Sequence, residues 1–479
     1  MKKQAALACL SLGFVWISLL VSEGIAKEPA EALVSVVSLD EQGNPWRQGM
    51  GILVGREGSV LTSASIMADS RSGVVKTADG ALHIIKKISR WDSLQDVALL
   101  QIEPESSKIV AVDTASRLQP PEKIWVGIRQ KDALQLREAE LTNTLPFSPR
   151  LILLKLKPDN LGTEPGSPLL NRRGELVGMF HAFTGAPNKS ETYGLYLARQ
   201  REHFLSKNDG EKEAVRWPEE PLKRFYSPGI KDFWEGVFVS LRREWLEAQK
   251  KFTAAITQPG VLPEAFFGRG VARYHLGDWN GAEKDLEEAT RRLSGYALAF
   301  LWLGKARERQ GKAAAAAGDY DQAAKLSTDL SEAWFRLGEL AYKGGELGKA
   351  KECLGRTKDD PAQGAKSWWY LGNIALKENR TQEGLEAFNQ AIKSDPGFFQ
   401  AYLDGGRLLL EDLGQPTEAA VLLKEAVRLK PGQGLPRYYL ALAYLTSWNR
   451  AGAWEQYFAL RDISPELAAN LAKTLERSP

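Results

Sequence analysis

Six glycines stand 34 residues apart along the second half of the chain: Gly236, Gly270, Gly304, Gly338, Gly372 and Gly406. Ala441 continues the ladder 35 residues on, the extra residue falling in the turn "EDLGQP". A second small residue follows 12 positions later, as Ala248, Ala282, Ala316, Ala350 and then Gly384. Bulky residues come four after those: Phe252, Leu286, Tyr320, Leu354 and Phe388. A fixed period of this length demands one supersecondary unit used many times. A small residue on each of two helices lets them approach closely, and the bulky one is expected to seal the contact with the next pair. The spacing therefore predicts stacked antiparallel helix hairpins.

The residues around the ladder sharpen this. "LGDW" at 276–279, "SDP" at 394–396 and "LKP" at 429–431 resemble the turn and closing positions of the tetratricopeptide repeat family. Seven repeats cover 229–465, and 466–479 reads as a capping helix entered through Ser464 and Pro465. The resemblance implies a groove lined by the first helix of each repeat, which binds peptides or extended protein segments. The position three before each small residue holds Phe233, Phe267, Leu301, Phe335, Trp369, Leu403 and Tyr438. As an aromatic and apolar ladder these could hold the side chains of a ligand; they could equally pack on neighbouring helices. The clamp with which some family members grip a terminal carboxylate is not evident, since the corresponding positions hold Lys305, Glu339, Asn373 and Arg407.

A chain of 479 residues needs more than this one array, because single cores rarely grow beyond about 250 to 300 residues. From 27 to 207 the texture changes to short apolar runs broken by Gly, Pro and charged turns: "LVSVVSL", "GILVG", "DVALLQI", "KIWVGI", "RLILLKL" and "ELVGMF". Many short strands with little helix signal predict an all-β front half, as a pair of small antiparallel barrels or a sandwich. The stretch between, 208–228, is charged and proline-bearing and reads as a linker, with Trp217 and Phe225 as its docking side chains.

Four segments of the front half, in order, resemble the trypsin-like serine proteases of the bacterial HtrA type. "GMGILVGREGSVLTSASIM" resembles the stretch that ends at the catalytic histidine, and "ADGALHIIKKISRWDSLQDVALLQI" the one that reaches the aspartate. "GTEPGSPLLNRRGELVGMF" resembles the nucleophile loop and its hairpin, and "YGLYLARQ" the last strand. The resemblance implies a double β-barrel and places Ser65 at the histidine, Asp96 at the aspartate and Pro165 at the nucleophilic serine. Two of the three chemical groups are replaced. A serine hydroxyl is not a base near neutral pH, and an aspartate without an imidazole orients nothing. Proline removes the attacking oxygen and also the backbone N–H that in this family lines the oxyanion hole. Ser167 belongs to the turn that follows, and His83, His181, His203 and His275 do not fall at the triad positions.

The N-terminus reads as a secretory signal peptide over 1–26, with Lys2 and Lys3 before an apolar run and a small-residue end at Ala26; a membrane is expected as a partner only through this segment, were it left uncleaved as an anchor. Cys9 lies within it, leaving Cys353 alone and no internal disulfide. With no CxxC or HExxH and four scattered histidines, neither a structural metal nor a cofactor is expected. A formal net charge of +3 gives no reason to expect nucleic acid as a partner. The expected function is an exported protein-binding scaffold in the bacterial periplasm or outside the cell, its trypsin-like domain without peptidase activity and its repeats holding proteins or peptides. The alternative is an active serine endopeptidase with a different catalytic constellation, the repeats recruiting its substrates.

Overall fold

The computed structural model describes residues 29–477 except 55–57, 71, 93, 104–117, 132, 159–160, 181–191, 198–214 and 217–227. The signal-peptide segment, Trp217, Phe225, His181 and His203 lie outside the described residues.

Twelve strands of the front half close into two six-stranded antiparallel barrels. The first contains β1 (Leu33–Leu39), β2 (Pro45–Val54), β3 (Ser59–Ser63), β4 (Ser72–Thr77), β5 (Leu82–Asp92) and β6 (Val97–Ile102). β1 pairs with β2 and β4, β3 links β2 to β6, and β5 bridges β4 and β6, which closes the ring. The second contains β7 (Glu122–Gln130), β8 (Ala133–Ser148), β9 (Leu151–Lys157), β10 (Pro168–Leu170), β11 (Leu176–Met179) and β12 (Thr192–Tyr196), closed in the order β10-β11-β12-β9-β8-β7. Closure removes the sheet edges that short strands would otherwise expose. Each barrel has its own apolar filling. Val34, Val36, Met50, Ile52, Val60 and Leu100 pack in the first, and Ile124, Val126, Leu141, Leu154 and Leu169 in the second.

The segment read as a linker contains a short strand. β13 (Val215–Arg216) adds to the first barrel by pairing with Ile88 and Lys87 of β5.

Fifteen helices follow among the described residues, in seven hairpins and a final single helix. After a single helical turn α1 (Ala64–Met67) in the first barrel, the first two hairpins are α2 (Pro228–Leu241) with α3 (Trp245–Thr257) and α4 (Pro263–His275) with α5 (Trp279–Arg292). Five more hairpins run from α6 (Ala297–Arg309) and α7 (Ala313–Leu326) through α8 (Ser331–Lys343), α9 (Leu347–Gly355), α10 (Gly364–Lys377), α11 (Thr381–Ser394), α12 (Phe399–Glu411), α13 (Pro416–Leu429), α14 (Gly434–Thr446) and α15 (Arg450–Ile463). α16 (Pro465–Arg477) covers the end, burying Ala468, Leu471 and Leu475 against Ala453 and Leu460.

The glycine ladder is the closest approach within each hairpin. A Cβ at Gly236 would lie 2.9 Å from the Phe252 ring, at Gly304 2.6 Å from Tyr320, at Gly372 2.6 Å from Phe388 and at Gly406 2.6 Å from Leu423. Gly270 and Gly338 meet Leu286 and Leu354 in the same way. This corrects the expected role of the bulky residues: each presses first on the glycine of its own hairpin. Phe252 additionally meets Gly268 of the following repeat, so one ring serves both contacts.

The chain divides into two compact units, Met1–Tyr296 and Ala297–Pro479. The division falls inside the helical array, because the first two hairpins share a core with the second barrel. Leu151, Leu153, Tyr193 and Leu195 of the second barrel, with Leu94 from the loop between β5 and β6, pack with Ile230, Phe233, Trp234, Val237, Phe238 and Phe252. Phe233, Trp234 and Phe252 are fully buried there, and burying side chains of this size contributes about 1.5 to 3 kcal/mol each.

Candidate functional site

β3 ends at Ser63 opposite Val97, the first residue of β6, and this register brings the start of α1 against the loop before β6. Asp96 sits in that loop at φ 52°, a left-handed conformation that aspartate tolerates better than most residues. Its carbonyl accepts the Ala64 N–H at 3.0 Å and its Oδ1 accepts the Ser65 N–H at 2.6 Å. The Ser65 hydroxyl donates to Oδ2 at 3.2 Å, the Ser63 hydroxyl donates to the same oxygen, and the two hydroxyls are 2.5 Å apart. Asp96 is buried and Ser65 half-buried. Asp96 thus holds the first turn of α1 by two of its amides, one through the carboxylate and one through the backbone carbonyl, the task of a helix cap.

Pro165 stands in the loop before β10 and its carbonyl accepts the Met50 N–H at 2.9 Å. A Cβ at Gly49 would strike both Ile66 of α1 and this carbonyl, so Gly49 is where the loop and α1 come together. Gly166 has φ 82°, and a Cβ there would lie 2.0 Å from the Met50 carbonyl. Only glycine fits. Ser167 is fully buried, its Oγ accepting the Glu164 N–H at 3.0 Å and facing the Met50 sulfur at 3.4 Å. It is a turn hydroxyl turned inward.

Arg129 was not singled out by sequence, yet it organises the loop. From β7 its Nε donates to Glu164 Oε1 at 2.9 Å and its Nη2 to Glu164 Oε2 at 3.1 Å. Nη1 reaches Ser35 Oγ on β1 at 3.0 Å, and Nη2 the Gly49 carbonyl on β2 at 3.1 Å. One guanidinium therefore ties the proline loop and both barrels through a bidentate carboxylate pair. Glu164 precedes Pro165, so the loop is held where the proline bends it.

The two histidines among the described residues, His83 and His275, bond elsewhere. His83 lies near the start of β5, nine residues from Asp92, and its Nδ1 meets the Glu103 carbonyl at 3.0 Å. At roughly 3.3 Å per strand residue that is about 30 Å from the end of β5 next to Asp96. His275 stacks on Trp245 with ring centroids 4.0 Å apart. Among the described residues no group of three or more His, Cys, Asp or Glu could hold a metal ion.

In the repeats, the first four positions of the ladder follow the packed alternative: Phe233, Phe267, Leu301 and Phe335 are buried. Phe335 packs with Tyr370, Leu371 and Ile374 of the next first helix, and Leu301 with Ala333 and Leu337. Trp369, Leu403 and Tyr438 are half-buried, and Trp369 donates its indole N–H to Asp404 at 2.7 Å. The positions just after two of the ladder glycines carry ion pairs. Lys305 pairs with Glu332 at 2.7 Å, and Glu339 accepts from Lys343 at 2.9 Å and from the Tyr370 hydroxyl at 3.0 Å.

Phe233 and Phe267 are covered by a segment from the second barrel. The turn between β8 and β9 places Phe147 edge-on to both rings, with centroids 5.8 Å and 5.3 Å away, and 6.4 Å from Phe252. The Phe147 carbonyl accepts the Tyr296 hydroxyl, and Arg150 forms a bidentate pair with the fully buried Glu264 at 2.8 and 2.9 Å. Burial, then the neighbouring Glu264 carboxylate, pushes the Tyr296 phenol well above its ordinary range and keeps its proton for that bond.

Residues 49–179 match the trypsin-like peptidase domain family, and overlapping stretches from 241–297 to 370–434 match the tetratricopeptide repeat family. This chain is a trypsin-like peptidase domain followed by tetratricopeptide repeats. Its trypsin-like part is similar to HhoB of Synechocystis sp., a candidate serine protease, at 28% identity over 142 residues, 27% of this chain and 33% of that one. The chain thus spans about a third of the length of that relative. Among solved structures, the C-terminal part of a repeat-containing protein from Cytophaga hutchinsonii is 18% identical, with 50% of this chain and 98% of that one covered and a TM-score of 0.43. A protease from M. tuberculosis in its active form is 16% identical, with 37% and 82% covered and a TM-score of 0.32.

Proposed function

We propose that the chain is an exported binding scaffold, a trypsin-like domain without peptidase activity joined to repeats that hold protein or peptide segments. The observation that carries this reading is the use of Asp96: its carboxylate is spent on the Ser65 amide and two serine hydroxyls at the start of α1. Serine protease chemistry needs an imidazole between the aspartate and the nucleophile, and a carboxylate is a far weaker base than an imidazole. Pro165 offers neither an attacking oxygen nor an oxyanion N–H. The aspartate has a reason to stay in such a chain, since it caps the turn that follows β3. Export rests on the lysine-led apolar segment at 1–26. Among the described residues no helix is long and apolar enough to cross a membrane.

The test is to incubate the purified chain with casein and with a fluorophosphonate probe. Neither cleavage nor label is expected. A covalent adduct on any serine of 27–207 would overturn the reading. Cell fractionation with N-terminal sequencing tests export, with a mature start after Ala26 expected.

A further inference from the structure

We propose that the first-helix face of repeats one and two is a peptide-binding site whose ligand is built into the chain, the turn Phe147-Ser148-Pro149-Arg150. The site's chemistry then defines the external segment it would accept: an aromatic side chain followed three residues later by an arginine. This deepens the scaffold reading by naming a ligand class for the repeats.

Three features of the turn are bound by groups on α2, α3 and α4 and by Tyr296 just beyond α5. The Phe147 ring enters a cage made by Phe233, Phe252 and Phe267, with further contact between Phe267 and Tyr296 at 4.7 Å. The Phe147 carbonyl is held by the Tyr296 hydroxyl. Arg150 meets Glu264 with Nε at 3.0 Å and Nη2 at 2.8 and 2.9 Å, and Ser148 Oγ adds a bond to the same carboxylate at 3.2 Å. Aromatic anchor, backbone bond and bidentate arginine are the elements by which grooves read peptides.

The repeats themselves show that Glu264 is built to receive a cation from elsewhere. Two repeats on, the corresponding acid is Glu332, and the repeat before it supplies Lys305 at 2.7 Å. The residue at the Lys305 position in the repeat before Glu264 is Val237. The array answers its own acid at one place and leaves it unanswered at the other, where the carboxylate is fully buried and an unpaired charge would be costly. Arg150 fills that vacancy.

The experiment uses the full chain and a fluorescein-labelled peptide of the sequence 144–152, read by anisotropy. Wild type should not bind it, its site being filled. The Phe147→Ala/Arg150→Ala chain should bind it saturably, and adding Glu264→Gln, or replacing the peptide's arginine by glutamine, should weaken binding at least about tenfold. Should the double variant fail to fold by circular dichroism, Arg150→Lys keeps the charge and loses the bidentate fit, and it should bind the arginine peptide above wild type. Absence of saturable binding by whichever variant folds, or equal binding of the glutamine peptide, overturns the proposal. The scaffold reading fails separately: fluorophosphonate labelling with peptide binding intact sinks that reading and leaves this one standing.

Discussion

The Arg150 guanidinium and the Glu264 carboxylate form a bidentate ion pair in which the acid is fully buried and the base is 41% exposed. That asymmetry predicts unequal costs. Arg150→Met strands a buried carboxylate and should destabilise the unit containing the barrels by about 3 to 5 kcal/mol. Glu264→Gln leaves a guanidinium that can turn to water and should cost about 1 to 2 kcal/mol. Urea unfolding of the full chain, followed in its first transition, measures both, and equal effects would show that the pair's burial is misjudged.

The triad positions predict a stepwise result. Ser65→His alone should give no esterase turnover, because Pro165 still withholds the nucleophile and an oxyanion donor. Pro165→Ser alone should also stay unlabelled by a fluorophosphonate, having no base. Only Ser65→His with Pro165→Ser has both groups, with Asp96 already 3.2 Å from the Ser65 oxygen. Labelling of that double variant and of neither single variant is the expected pattern. Turnover in Ser65→His alone would show the triad to be misplaced.

Two glycines of the Ala297–Pro479 unit should respond oppositely to the same substitution. A Cβ at Gly372 would lie 2.6 Å from Phe388 and 3.2 Å from the Gly384 carbonyl, so Gly372→Ala forces a shift and should cost about 1 to 3 kcal/mol. Gly318, in the middle of α7, has nothing within 4 Å of its added Cβ. Gly318→Ala should stabilise by about 0.5 to 1 kcal/mol. Thermal unfolding should move the two melting points in opposite directions.

Cys353 is buried, and burial pushes its thiol up to about 11. Since the thiolate is the reactive form, the native chain at pH 8 should react with a thiol reagent roughly two orders of magnitude more slowly than the chain in denaturant. Rapid native labelling would place the residue at the surface.

Much of this protein was legible before its tertiary structure. The glycine ladder located seven hairpins and a capping helix because it records contacts inside one hairpin, such as Gly236 with Phe252 or Gly372 with Phe388, 16 residues apart, with Gly406 and Leu423 one residue further. Ser65 and Asp96 were paired by the order of motifs and are hydrogen-bonded. What each position had become was less visible: that Asp96 serves as a cap depends on how β3 and β6 align, which no short spacing encodes. The aromatic positions were ambiguous for the same reason, since a ring three before the glycine reads alike whether it faces solvent, the next helix or another domain.

By itself, then, the sequence determined two architectures, a double barrel lacking a histidine and a serine at its triad positions, and an array of helix hairpins. Tertiary structure alone decided how the barrels use the array. Phe147 and Arg150 lie more than a hundred residues before Phe267 and Glu264, and neither belongs to a repeating pattern. Their meeting depends on closing the second barrel and seating β9 and β12 against α2, which turns one loop of the barrel toward one buried acid of the repeats. Periodic spacing reports contacts that recur with the chain's local geometry; a contact made once, between elements folded separately, leaves no period to read.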